Sequence, residues 1–166
     1  MRLTTRTNLA MRVLMFCAVN PSIIVRKHEI AAACNASENH LAQVVNTLAQ
    51  QGFIATQRGR SGGLRLARPM DQIAVGEVLR AFEADLPFAE CFDLTTNTCP
   101  LHEACMFREA LLEALDAFYS ALDRKSLADL VEDNEALEQL LALPSAETIP
   151  VCGMRRPAPR VAAEVA

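Results

Sequence analysis

The stretch Phe53-Ile-Ala-Thr-Gln-Arg-Gly-Arg-Ser-Gly-Gly-Leu-Arg-Leu66 holds two short β-prone arms around an arginine- and glycine-rich tip. That is the pattern of a hairpin. Just before it, Gly52 closes a helix that starts at Ser37, a side chain able to cap free N–H groups. Leu41, Val44, Val45 and Leu48 recur at helical spacing and form that helix's buried stripe. Asn39, His40, Gln43, Asn46, Thr47 and Gln50 fall on its other face.

Working outward, residues 4–19 read as a helix with Leu9, Val13, Phe16 and Cys17 near one face, ended by Asn20-Pro21. A second helix fits 26–33. Cys34-Asn35-Ala36 then makes a tight turn, where Asn35 tolerates a left-handed backbone. Helix, helix, turn, helix, hairpin is the order of a winged helix-turn-helix. The expected class is therefore mainly α with a small β-hairpin: a winged helix-turn-helix DNA-binding domain plus a long dimerisation helix.

Such a helix fits the major groove, where Asn and Gln amides can pair with adenine edges. Ser37, Asn39, His40 and Gln43 lie near its start, the end that meets bases. Arg58, Arg60 and Arg65 suit phosphates or a narrow minor groove. The candidate DNA contacts are Ser37, Asn39, His40, Gln43, Arg58 and Arg60. Charge agrees with this reading. Residues 1–70 carry nine Lys/Arg against two acids, a formal +7, while the remaining seven bases and eighteen acids give −11. A basic half on an acidic chain points to a polyanion partner for that half.

After Pro69, helices fit Val75–Glu83, roughly Met106–Leu122, Ser126–Val131 and Glu135–Leu143. Phe107, Leu111, Leu115, Phe118 and Leu122 give the long helix more apolar surface than a small winged domain needs to bury. A homodimer through this helix would set two recognition helices on a palindromic operator in double-stranded DNA. The expected organisation is a DNA-binding region over 1–70, a connecting helix and cysteine loop over 71–105, dimerisation and C-terminal helices over 106–143, and a flexible tail over 144–166.

Cys91, Cys99 and Cys105 are separated by seven and then five residues. Structural zinc prefers four ligands in closely spaced pairs, and three thiols cannot all pair as disulfides. Thiolates are soft ligands that select iron–sulfur clusters, Zn or Cu(I). Three in one loop leave a position open or weakly held, which suits a labile sensor cluster. A zinc site completed by His102, and unrelated redox thiols, are the alternatives. Cys17 and Cys34 read as small core residues, and Cys152 falls in the tail.

No apolar run reaches the eighteen or so residues of a membrane span, and Val13–Val19 lacks a cleavage pattern. The expected location is the cytoplasm, with reduced or metal-bound cysteines. An enzyme is disfavoured. The chain has no Cys-x-x-Cys, no nucleotide-binding glycine loop and no convincing Cys–His–acid arrangement.

Met-Arg-Leu-Thr-Thr-Arg-Thr-Asn at 1–8, Arg58–Leu66, Val75-Gly-Glu-Val-Leu79, the three-cysteine loop and Ser126-Leu-Ala-Asp-Leu-Val131 run in order over about 1–143. Together they resemble the winged-helix iron–sulfur repressors that include NsrR, RirA and IscR. The resemblance implies a homodimeric repressor with one cluster per subunit on Cys91, Cys99 and Cys105. The expected cluster is [4Fe–4S], with [2Fe–2S] as the alternative. Cluster damage would reshape the loop and release DNA. Ser37–His40, Ala117–Asp123 and Ser126–Leu141 look most like the nitric-oxide-sensing NsrR branch. The seven-residue cysteine gap and Thr7-Asn8 also occur in the iron-responsive RirA branch. One departure stands out: where well-matched NsrR sequences carry an aspartate as fourth ligand across the dimer, this chain has Asn8. The fourth position is then open to water, Asn8, Asp93, His102 or Glu103.

Overall fold

The computed structural model describes residues 3–59, 62–83, 87–93 and 95–143. Arg60, Cys152 and the expected tail lie outside the described residues.

Helix α1 (Thr5–Val19) starts where the Thr4 side chain accepts a bond from Thr7 N, and buries Leu9, Ala10, Val13, Leu14, Phe16 and Cys17. Helix α2 (Lys27–Ala33) is followed by Asn35 at φ 48°, the left-handed turn that its short amide tolerates. Ser37 then caps helix α3 (Glu38–Gln50), accepting from His40 N at 3.3 Å. Its four expected apolar residues are all buried. Gly52, at φ 74°, turns the chain out of the helix.

Strands β1 (Ile54–Gln57) and β2 (Gly63–Leu66) pair antiparallel, Ile54 opposite Leu66 and Gln57 opposite Gly63. Val25 bridges to Leu64 with backbone bonds of 2.9 and 2.7 Å, tying the hairpin to the approach to α2. A Cβ on Gly63 would sit 2.4 Å from Val25 O, so only glycine permits this approach. This is the winged helix-turn-helix that the residue order predicts.

Helix α4 (Val75–Glu83) packs on α1, and α5 (Met106–Asp123) packs on α4. Gly76 allows the α4–α5 approach, because a Cβ there would lie 2.1 Å from Asp123 Oδ1. Arg80 grips Asp123 through two contacts of 2.6 and 2.7 Å and lies over the Tyr119 ring at 4.5 Å. Among the described residues α5 buries none of its own, and Met106 and Phe107 are 75% and 70% exposed.

Helices α6 (Ala128–Val131) and α7 (Glu135–Leu141) return to α1. Both are shorter than their apolar patterns suggest. Ser126 Oγ accepts from Asp129 N at 3.1 Å just ahead of α6. At the far end, buried Asn20 takes over α7's terminal groups. Its Nδ2 donates to Phe16 O and Leu141 O at 2.9 Å, and its Oδ1 accepts from Leu143 N at 2.8 Å. Asn20 thus ends α1 and also clasps α7 onto it.

Candidate functional site

The residues expected from the sequence fall on two surfaces. On the first, Ser37, Asn39, His40 and Gln43 are all exposed at the start of α3. The buried stripe on the opposite side fixes the helix rotation, so these polar groups face outward together. Arg58 is exposed at the end of β1, with Gly59 beside it at φ 103°. Between α2, α3 and the hairpin runs a groove of about 560 Å³ lined in part by Arg26, Lys27, His28, Glu38 and Arg58.

Arg26, Lys27 and His28 entered the sequence reading only as helix and charge. Their adjacency was the available signal, but their convergence with Arg58 is a product of the Val25–Leu64 bridge. Two other cations of the basic half serve the fold instead. Arg12 Nη1 donates to Cys34 O at 3.2 Å in the helix-turn-helix turn. Arg68 pairs with Glu77 at 2.6 Å and covers the Phe53 ring.

The second surface is the loop between α4 and α5. Cys91, Cys99 and Cys105 are free, half-buried thiols on it. Cys105 is also the N-cap of α5, its Sγ accepting from Arg108 N at 3.4 Å. Arg108 Nε donates to Cys91 O at 3.2 Å, and its guanidinium lies over Phe92 at 5.8 Å. Glu90 Oε1 accepts from Thr98 N and Oγ1 at 2.9 and 2.7 Å, bonds that hold its carboxyl below the usual range. Thr95 and Thr96 hold Asp93 down to about 2 in the same way.

The donor set fits a soft, thiophilic group: three thiols from one loop, one of them capping a helix. Their side chains are not gathered, since among the described residues no three His, Cys, Asp or Glu groups converge to hold a metal ion. His102 keeps a 20% exposed side chain, with Nδ1 3.3 Å from Glu103 and Nε2 without a bonding partner among the described residues. Asn8 is exposed on the first turns of α1, its Nδ2 donating to Thr4 O at 3.1 Å.

Contacts also tie α4 to α1. Glu83, the last residue of α4, accepts from Thr4 N, Thr4 Oγ1 and buried Thr7 Oγ1 on α1. That contact holds the Asn8 end of α1 at the point where α4 leads into the cysteine loop. Helix α1 in turn packs on α3. Cys17 and Cys34 take no part. Both are buried, and burial pushes the Cys17 thiol up to about 12.

Residues 3–133 match the Rrf2 family, described as an iron-dependent transcriptional regulator. The chain is 44% identical over 142 residues to the HTH-type transcriptional regulator NsrR of Geobacillus kaustophilus, covering 85% of this chain and 97% of that protein. It is 40% identical over 143 residues to protein aau3 of Rhizobium meliloti, covering 86% and 93%. Among solved structures, T. potens IscR superposes with a TM-score of 0.63 at 24% identity, over 82% of this chain and 90% of that one.

Proposed function

The chain belongs to the Rrf2 family of iron-dependent transcriptional regulators, and from that premise we propose that it is a nitric-oxide-sensing, iron–sulfur-dependent repressor. It acts as a homodimer on palindromic double-stranded DNA in the cytoplasm. The family consists of regulators rather than enzymes, and DNA binding follows from it. The observation that carries the sensing proposal is Cys105, which is both a thiol of the three-cysteine loop and the cap of the long helix α5.

In this reading Cys91, Cys99 and Cys105 hold one cluster per subunit. A [4Fe–4S] cluster fits three cysteines and one exchangeable ligand. When bound, the cluster supplies iron open to nitric oxide. The chain's own residues transmit the change. Cys105 loses its anchored position, which loosens the first turn of α5. The far end of α5 is clamped to α4 through Arg80 and Asp123. Glu83 passes the shift to α1, which packs on the recognition helix α3. Asn39, His40 and Gln43 then lose their register on base edges, while Arg58, Arg60, Arg26 and Lys27 lose theirs on phosphates. The exposed and half-buried apolar residues of α5 pair with their copies across the two-fold axis.

A second reading, an iron-responsive repressor, is favoured by Asn8. A neutral amide is a poorer iron ligand than a carboxylate, so iron held there would be lost more readily when iron is scarce. An oxygen-free titration of cluster-loaded protein with nitric oxide, following absorbance and DNA binding on one sample, tests both readings. Collapse of the spectrum and release of DNA at low stoichiometry, with slow loss to a chelator, is expected. Prompt stripping and DNA release by the chelator alone would establish the iron-responsive reading instead.

A further inference from the structure

Nine chain positions from Cys91 through Cys99 could span about 27 Å if extended, and a loop free to do so would seldom bring its thiols together. Two side chains tie the loop across its length. Glu90, next to Cys91, takes both the backbone N–H and the hydroxyl of Thr98, next to Cys99. Arg108 reaches back from the first turn of α5 to the carbonyl of Cys91, while its own N–H bonds the thiol of Cys105. One tie therefore joins the Cys91 and Cys99 stations, and the other joins those of Cys91 and Cys105.

We infer that Glu90 and Arg108 are positioning residues that hold the backbone stations of the three cysteines together before any metal arrives. The inference rests on the ligand reading above and assigns the division of labour: Glu90 sets the first pair and Arg108 the second. Neither supplies a ligand. With the stations already joined, metal capture requires closure of thiol side chains rather than folding of the whole loop, which lowers the ordering cost of binding. Polar groups that orient ligands from outside the metal shell typically change affinity 10–100-fold when removed.

The test uses the full-length, cluster-free protein under reducing, oxygen-free conditions. A short bis-alkylating thiol crosslinker is applied, and linked cysteine pairs are mapped by mass spectrometry. Glu90→Ala should cut Cys91–Cys99 linkage at least fivefold and leave Cys91–Cys105 linkage within twofold. Arg108→Ala should do the reverse, because it removes the side-chain tie to Cys91 O while the backbone N–H to Cys105 survives. Thr98→Ser, which keeps both donors to Glu90, should behave as wild type. Cobalt titration, read by thiolate-to-metal absorption, should show weakened binding of about tenfold or more in both alanine variants. Equal loss of both linkages in each variant would mean general loop unfolding and overturn the assignment, as would no change in either. Separately, full cluster content in Cys91→Ser, Cys99→Ser and Cys105→Ser proteins would overturn the ligand reading, and this inference with it.

Discussion

Asn20→Ala removes one side chain from three bonds at once. Asn20 is 5% exposed, and its amide satisfies Phe16 O, Leu141 O and Leu143 N within 2.8–2.9 Å. At a net contribution of about 1 kcal/mol per bond, the loss is ~2–3 kcal/mol. For a domain of this size that lowers Tm by about 4–12 °C. The damage should be local first. Amide exchange should rise in α7 at Leu137, Glu138 and Ala142, whose N–H groups bond Asn134 and Glu138 carbonyls, before it rises in α1 or α3. The sharper comparison is Asn20→Asp, which has the same shape. It keeps an acceptor for Leu143 N but turns a second oxygen toward two carbonyls, so it should destabilise more than alanine. Urea unfolding with native-state hydrogen exchange gives both quantities. An aspartate variant as stable as wild type at neutral pH, or uniform exchange across the fold, would refute the clasp.

Other outcomes follow from the same geometry. Gly76→Ala drives a methyl group into Asp123; overpacking of this kind costs about 1–3 kcal/mol in urea unfolding, and Asp123→Ala in the same chain should recover part of it. Burial pushes the Glu83 carboxyl up, but bonds from Thr7 and Thr4 outweigh this and leave it below its ordinary value of 4.5. Its contribution is therefore present above that value and fades as pH falls through the lower folded value; Glu83→Gln should flatten the fall in thermal stability on acidification. Arg58→Ala should weaken DNA binding evenly across sequences and lower the salt slope by about one. Gln43→Ala should instead relax preference at one position by about 1–3 kcal/mol, and the opposite pattern would reverse their assigned roles.

Several features were legible without coordinates because they depend on neighbours a few residues apart. The stripe Leu41–Leu48, the Ser37 cap, the left-handed Asn35 and the glycine-flanked hairpin are local patterns, and each is found where spacing and side-chain chemistry put it. The family resemblance rested on such stretches, and the match over residues 3–133 agrees with it. The three cysteines and the polar face of α3 were likewise visible as residue types in a pattern.

What the sequence alone determined, then, was the order of elements, the face each helix buries and the kind of chemistry available. The tertiary structure decided which distant groups meet. Asn20 read as a helix stop, yet it holds residues more than 120 positions away. Arg12 and Arg68 counted toward a basic surface but are spent on a turn carbonyl and on an acid beside an aromatic ring. Glu83 and Gly76 carry no local signal of their roles in joining α4 to α1 and α5. Helical and strand periodicity arises from backbone geometry repeated every few residues, so it is written in the chain. A long-range hydrogen bond depends on how whole elements pack, and no spacing rule records it.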